Sequence, residues 1–247
     1  MAVRTTVGFL YPGHAAEGDY PLIEKLLGPE VELPVVHTSV GEDAHRVEAL
    51  LDLGGADRLA DGAEQLRQVD VNAVVWACTS GSFVFGWDGA QDQVDGLRRA
   101  LDVPASSTSF AFVGAARAMR LGRVAVAATY PEDVTSHFVE FLRHGGVEVV
   151  RLSSRGIITA VESGTLGREE VLDLAAQSDH PHADAVLLPD TALHTAAWLD
   201  ELEQRLGKPV LTANQVSVWE GLRIAGHTGP YAGLGALFRR GSRHVGQ

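Results

Sequence analysis

The chain is predicted to be an α/β protein of two pseudo-symmetric, doubly wound (flavodoxin-like) halves with parallel sheets, its active site in the crevice between them. Three observations predict this. Short apolar runs alternate with segments of helical period along the whole chain, the signature of parallel strands crossed over by helices. The runs are continuously apolar and rich in β-branched residues, as expected of strands covered on both faces. The pattern also repeats itself halfway along.

In chain order, residues 6–11, 31–37, 71–77, 123–129, 147–152, 183–189 and 209–213 read as strands, each a strand's length of mainly apolar residues. Between them, residues 43–53, 57–68, 91–101, 131–144, 168–177 and 195–206 place apolar residues at helical spacing. Gly122 and Gly226 are expected just past two helix ends, where a left-handed residue is favoured. Three echoes recur in the same order. Phe9-Leu10-Tyr11-Pro12 is matched by Ala128-Thr129-Tyr130-Pro131, Asn72-Ala73-Val74-Val75 by Asp184-Ala185-Val186-Leu187, and residues 115–122 by residues 219–226. The expected halves are residues 1–113 with 215–247, and residues 114–214.

Composition narrows the function. A net charge of −12 would repel a phosphate backbone or an anionic lipid surface, so neither nucleic acid nor membrane is an expected partner. No apolar stretch reaches membrane-spanning length, and a single cysteine fits a reducing compartment; the expected location is the cytoplasm. Self-association into a homo-oligomer is left open. Lysine occurs only at Lys25 and Lys208, among charged or turn residues, which argues against Schiff-base chemistry and pyridoxal phosphate. Glycine-rich dinucleotide and phosphate-loop motifs are absent, so no cofactor is expected. His180 and His182 flank Pro181 without a clear third ligand, and no metal is expected. The run Arg239-Arg240-Gly241-Ser242-Arg243-His244 reads as a solvated tail.

Cys78 is the one cysteine, and it follows the apolar run 73–77 at the start of Cys78-Thr79-Ser80-Gly81-Ser82. Ligands in open α/β sheets bind beyond such strand ends, which makes Cys78 a candidate nucleophile or base, while a buried structural thiol explains it equally well. The repeat pairs it with Asp190, after Val186-Leu187-Leu188-Pro189. Two facing halves would bring thiol and carboxylate to one substrate; alone, Asp190 reads as a helix N-cap near Thr195. A cysteine phosphatase loop fails, because its arginine position is Val84, and a serine hydrolase elbow fails because Ser80 is flanked by Cys78 and Ser82 where glycines are needed. A cysteine-histidine hydrolase using His14 or His194 stays open.

The segments Cys78-Thr79-Ser80-Gly81-Ser82-Phe83, Arg123 through Tyr130, Leu206 through Gly226 and Gly235-Ala236-Leu237-Phe238 resemble the aspartate/glutamate racemase superfamily, in the branch of arylmalonate decarboxylase, maleate cis-trans isomerase and ectoine-utilisation proteins. The resemblance implies metal-free and cofactor-free chemistry at the carbon next to a carboxylate, using cysteines at the strand ends of two halves. Cys78 matches the first-half cysteine, a glycine in the decarboxylase. Asp190 stands where the second-half cysteine would be, and Tyr11-Pro12-Gly13-His14 replace the asparagine that follows the first strand in maleate isomerase.

By the same resemblance Thr79, Ser80 and Tyr130 look like a hydrogen-bond cradle for a substrate carboxylate, with Pro12, Gly13 and Thr191 beside it. Hydroxyls and N–H groups of a turn after a strand form a concave anion site suited to a developing enediolate. The expected partner is thus a small mono- or dicarboxylate, its selectivity set by loops 12–18, 38–45 and 157–164. The expected function is a cofactor-independent isomerase or racemase with Cys78 as thiolate and Asp190 opposite it. An arylmalonate decarboxylase-like lyase and a non-catalytic carboxylate sensor are the alternatives. Acid duty for Asp190 would require burial or a like charge nearby.

Overall fold

The computed structural model describes residues 4–227 and 229–239. Its first sheet is built from β1 (Thr5–Pro12), β2 (Val31–Glu32), β3 (Val35–Thr38), β4 (Ala73–Trp76) and β5 (Ala105–Ser107). The intervening helices are α1 (Asp19–Leu27), α2 (Val47–Leu53), α3 (Ala56–Leu66), the single turn α4 (Ser80–Phe83) and α5 (Gly86–Leu101). After β5, α6 (Thr108–Met119) leads to the second sheet, β6 (Arg123–Ala128), β7 (Glu148–Ser154), β8 (Ala185–Leu188) and β9 (Val210–Thr212). Here the helices are α7 (Glu132–His144), α8 (Ala160–Gly164), α9 (Arg168–Ser178) and α10 (Leu199–Leu206), and the chain finishes with α11 (Ala213–Ile224) and α12 (Gly235–Arg239).

Every strand pair is parallel. In the first sheet β1 lies between β4 and the broken edge formed by β2 and β3, with β5 outside β4; the second runs β7-β6-β8-β9. Both orders are the doubly wound arrangement, in which the second strand returns to one side of the first and the third crosses to the other. The two sheets sandwich a core that draws Val7, Phe9 and Val75 from one and Val124, Val126 and Leu187 from the other around Phe112, Phe138 and Val216. Leu59, Leu66, Val94 and Leu97 of α3 and α5 cover the outer face of the first sheet. Val171, Leu172, Ala175 and Leu202 of α9 and α10 cover that of the second.

Several elements depart from the sequence expectation for local physical reasons. The strand expected over 31–37 is interrupted at Pro34, which has no N–H for the ladder, although its carbonyl still accepts from Phe9 N–H at 2.9 Å. β5 is short and carries serines, yet all three of its residues are buried. Ser106 Oγ donates to Glu220 at 3.1 Å, and Ser107 Oγ shares a hydrogen bond with Ser82 Oγ at 2.9 Å. Gly226 takes the expected left-handed backbone at φ 77°, but after α6 that conformation falls on Arg120 at φ 59°, two residues before Gly122. α11 leaves the second sheet and packs on β1, β4 and β5 of the first. Gly221 permits this approach, because a Cβ there would lie 2.4 Å from Val7 Cγ1. Among the described residues no helix is long and apolar enough to cross a membrane. Arg240 to His244, expected as a solvated tail, lie outside the described residues.

Candidate active site

β4 delivers Cys78 to the carboxyl edge of the first sheet, and α4 begins two residues later with Thr79 at its N-cap. That tight turn folds the Gly81 N–H back onto the Cys78 sulfur at 3.2 Å, with Ser80 Oγ at 3.8 Å. Cys78 is 2% exposed. Burial pushes the thiol up to about 11; the Gly81 N–H and the Ser80 hydroxyl act in the opposite sense and lose, and the Asp190 charge adds to the rise. Turn N–H groups are therefore present as expected, and burial opposes them in favour of the protonated thiol.

β8 delivers Asp190 in the same way at the edge of the second sheet. Its Oδ1 accepts the Ala192 N–H at 2.9 Å and its Oδ2 the Thr129 hydroxyl at 2.5 Å, so both oxygens act as acceptors. The capping role near Thr195 belongs instead to Asp19, whose Oδ2 accepts the N–H groups of Thr195 and Ala196 at 3.0 and 3.2 Å.

Cys78 and Asp190 line one cavity of about 340 Å³, together with Ser80, Thr191, Pro12 and Gly13. Val40, Leu50, Leu53 and Val161 make most of the remaining wall apolar. Thr79 and Tyr130 are not in that wall: both are buried behind it, and the Tyr130 hydroxyl donates to the Pro189 carbonyl at 3.0 Å. The phenol lies beside the Ser80 and Thr79 hydroxyls. Burial, reinforced by the charges of Asp190 and Cys78, holds its ionisation well above the ordinary range. Thr79 Oγ1 is buried with no hydrogen-bond partner among the described residues.

Sequence reasoning did not single out three contributors, two of them within the expected loop 38–45. Tyr11 lines the cavity and ties its two sides: its hydroxyl donates to the Thr191 carbonyl at 2.8 Å and accepts the Ala16 N–H at 3.0 Å. The echo between Tyr11-Pro12 and Tyr130-Pro131 was the signal that could have found it. His45 is buried, donates its N–H to Ile158 O at 2.7 Å and sets its ring edge-on to Tyr130. Asp43 accepts the N–H groups of Ala160 and Val161 at 2.8 and 3.2 Å. Together these bonds join loop 39–46 to Ile158 and the start of α8 across the cavity.

The histidines do not activate the thiol. His14 is largely exposed and bonds to Glu17 at 3.0 Å, and His194 lies 3.8 Å from Asp19, which raises its pKa. Neither hydrogen-bonds to Cys78, so the pairing that a cysteine-histidine hydrolase requires is not formed. His180 and His182 sit with ring centroids 5.4 Å apart, and His180 Nδ1 accepts the His182 N–H.

Comparison with known proteins follows this geometry. The family model for arylmalonate decarboxylase matches residues 53–238. Arylmalonate decarboxylase from Bordetella bronchiseptica is 26% identical over 228 residues, 92% of either chain, and maleate isomerase from Geobacillus stearothermophilus is 25% identical over 121 residues, 49% of this chain and 48% of its own. Among solved structures, a liganded arylmalonate decarboxylase variant with one glycine changed to cysteine and one cysteine to serine superposes with TM-score 0.82 at 26% identity, covering 96% of this chain and 99% of its own. A maleate cis-trans isomerase variant from Nocardia farcinica with a covalently bound succinylcysteine intermediate shares the fold, with TM-score 0.87 at 19% identity over 96% of this chain and 98% of its own. The chain is an enzyme, and it belongs to the arylmalonate decarboxylase family.

Proposed function

We propose that the protein is a cofactor-independent racemase or isomerase acting at the carbon next to the carboxylate of a small acid. The observation that carries this reading is that β4 and β8, one from each sheet, set a thiol and a carboxylate into a single cavity. Two proton-bearing groups on opposite sides of a bound carbon are what inversion requires. In one turnover the Asp190 carboxylate takes the α-proton, the electrons pass into the substrate carboxylate as an enediolate, and Cys78 delivers its S–H proton to the other face. Asp190 is left protonated and Cys78 as thiolate; the reverse turnover, or exchange with water, restores both.

Ser80 supplies a hydroxyl at the cavity wall and Thr79 an unpartnered one just behind it, groups able to bind the substrate carboxylate and stabilise the enediolate. Tyr130 positions them from beneath. Pro12, Gly13 and Thr191 shape the opposite wall. In this reading residues 1–113 with 215–247 and residues 114–214 are the two pseudo-symmetric halves, and the enzyme works in the cytoplasm.

The test is solvent exchange. Enantiopure 2-arylpropionates and maleate are incubated with the protein in D2O. The expected result is deuterium at the α-carbon with loss of optical purity, or conversion of maleate to fumarate. Cys78→Ala should lower turnover by at least about a hundredfold, the scale of one general acid-base group, with an unchanged far-ultraviolet circular dichroism spectrum. Near-normal turnover in that variant overturns the proposal, and so does saturable binding with neither exchange nor isomerisation, which would assign the cavity a different reaction.

Decarboxylation is the second reading, favoured by the raised thiol pKa. A Cys78 that stays protonated at neutral pH is a ready proton donor to the enediolate left by CO2, and the apolar wall suits the departing molecule. Release of CO2 from an arylmalonate, without exchange at the α-carbon of the product, selects this reading over the first.

A further inference from the structure

Besides the cavity chemistry, the described residues contain one cluster of three side chains with metal-ligand character: His14, Glu17 and His37, whose ligand atoms all lie within 4.8 Å of one another. The fold assembles it from β3 and the segment between β1 and α1. Parallel pairing of β1 with β3 sets His37 opposite Tyr11, and the chain leaving β1 turns at Gly13, at φ 63°, so that His14 comes to lie over His37 with ring centroids 4.0 Å apart. Glu17 closes the group, with Oε1 3.0 Å from His14 Nδ1.

The outer contacts of this cluster are those of metal ligands. His37 Nδ1 is 2.5 Å from the Gly13 carbonyl oxygen, so it carries the ring proton and donates it, which leaves the Nε2 lone pair free. Glu17 is oriented by the Ala15 N–H, donated to Oε2 at 2.8 Å. Two imidazoles and a carboxylate form the three-ligand set that holds zinc with a coordination position open. Ligand atoms around tetrahedral zinc stand about 3.4 Å apart, and His14, with 73% of its side chain exposed, is free to close the difference. Gly13 and His14 also line the cavity, as do Asp43 and Glu42, the latter paired with Arg46.

The geometry points to a zinc-class divalent cation site, formed by His14, Glu17 and His37, at the mouth of the Cys78–Asp190 cavity. It is separate from the proton-transfer chemistry and does not depend on it. The experiment is isothermal titration of the full chain with zinc chloride in a Cys78→Ala background, which removes the thiol as a competing ligand, followed by cobalt(II) substitution. We expect one equivalent bound with micromolar affinity and a cobalt visible spectrum whose intensity is that of a tetrahedral site. His14→Ala, at an exposed position that leaves the fold intact, and Glu17→Gln should each weaken binding by at least about tenfold, the scale on which even an outer-shell partner acts. The proposal is overturned by no saturable binding up to about 1 mM zinc. It is equally overturned by unchanged affinity in His14→Ala, which would assign the ion to other histidines such as His180 and His182.

Discussion

The Cys78 sulfur receives the Gly81 N–H at 3.2 Å, a contact that on its own stabilises a thiolate, yet burial moves the thiol from 9.0 to about 11. The sign of the pH dependence follows. The group's folded value lies above its unfolded one, so its contribution to stability is fully present below about pH 9 and is lost as pH rises through about 11. A shift of this size corresponds to roughly 3 kcal/mol. Urea denaturation at pH 8 and at pH 11 should therefore show the wild type losing about that much more stability than Cys78→Ala, in which the other high-pH groups still titrate. Kinetics read the same group differently. If Cys78 works as a proton donor, kcat/KM stays level from neutral pH and falls through about 11; a nucleophilic thiolate makes it climb about tenfold per pH unit toward that value. The placing of Cys78 and Asp190 was legible in the sequence because both follow buried strands in repeated surroundings. The protonation of Cys78 was not, since it depends on how completely the turn is covered by residues remote in the chain.

The α4 turn that holds Cys78 is itself held by two neighbouring elements. Gln93 on α5 donates one amide hydrogen-bond pair, reaching the Gly54 and Gly81 carbonyl oxygens at 2.8 Å each, and Gly54, at the end of α2, packs directly on α4. A Cβ on Gly54 would fall 2.1 Å from the Gly81 carbonyl oxygen. The backbone of Gly54, at φ −89°, is open to any residue, so the barrier to substitution is contact alone. Gly54→Ala should cost about 1–3 kcal/mol by overpacking. It should also displace the Gly81 N–H from the sulfur, and so lower kcat more than it raises KM. A variant with unchanged kcat would show that the turn tolerates the shift. Element prediction succeeded for helices such as α3 and α7, whose exposed and buried residues alternate with helical period, but it passed over α1, whose short stripe is Tyr20, Ile23 and Leu27. Of α11 it read only the end, before Gly226; ten of its twelve residues are buried, including Asn214, Gln215, Ser217 and Glu220, and a helix covered on all sides carries no apolar stripe to read. β5 escaped for the matching reason, its buried serines being satisfied by partners more than twenty residues away.

Across the whole molecule, the two sheets are joined by a small number of buried polar contacts that no local pattern announces. Asp19, 4% exposed at the start of α1, is the most connected of these. Its Oδ2 accepts from Thr195 N–H at 3.0 Å and Ala196 N–H at 3.2 Å, which belong to the segment following Asp190, and from the Asn214 side-chain amide at 3.1 Å on α11. Removing the carboxylate leaves three buried donors without it. Asp19→Ala should therefore cost on the order of 3 kcal/mol, or about 6–12 °C in melting temperature for a chain of this size. His194 adds a pH signature to the same junction. Asp19 raises its pKa, so the interaction stabilises the fold below the ordinary histidine range and fades as pH rises through the raised value. The imidazole is substantially exposed and its contribution small. Asp19→Asn keeps an acceptor in place while removing the charge. It should retain more stability than Asp19→Ala yet lose the His194-linked slope between mildly acidic and neutral pH, measured as melting temperature against pH. A slope that survives in Asp19→Asn would assign it to another histidine and leave Asp19 a purely neutral link between the sheets.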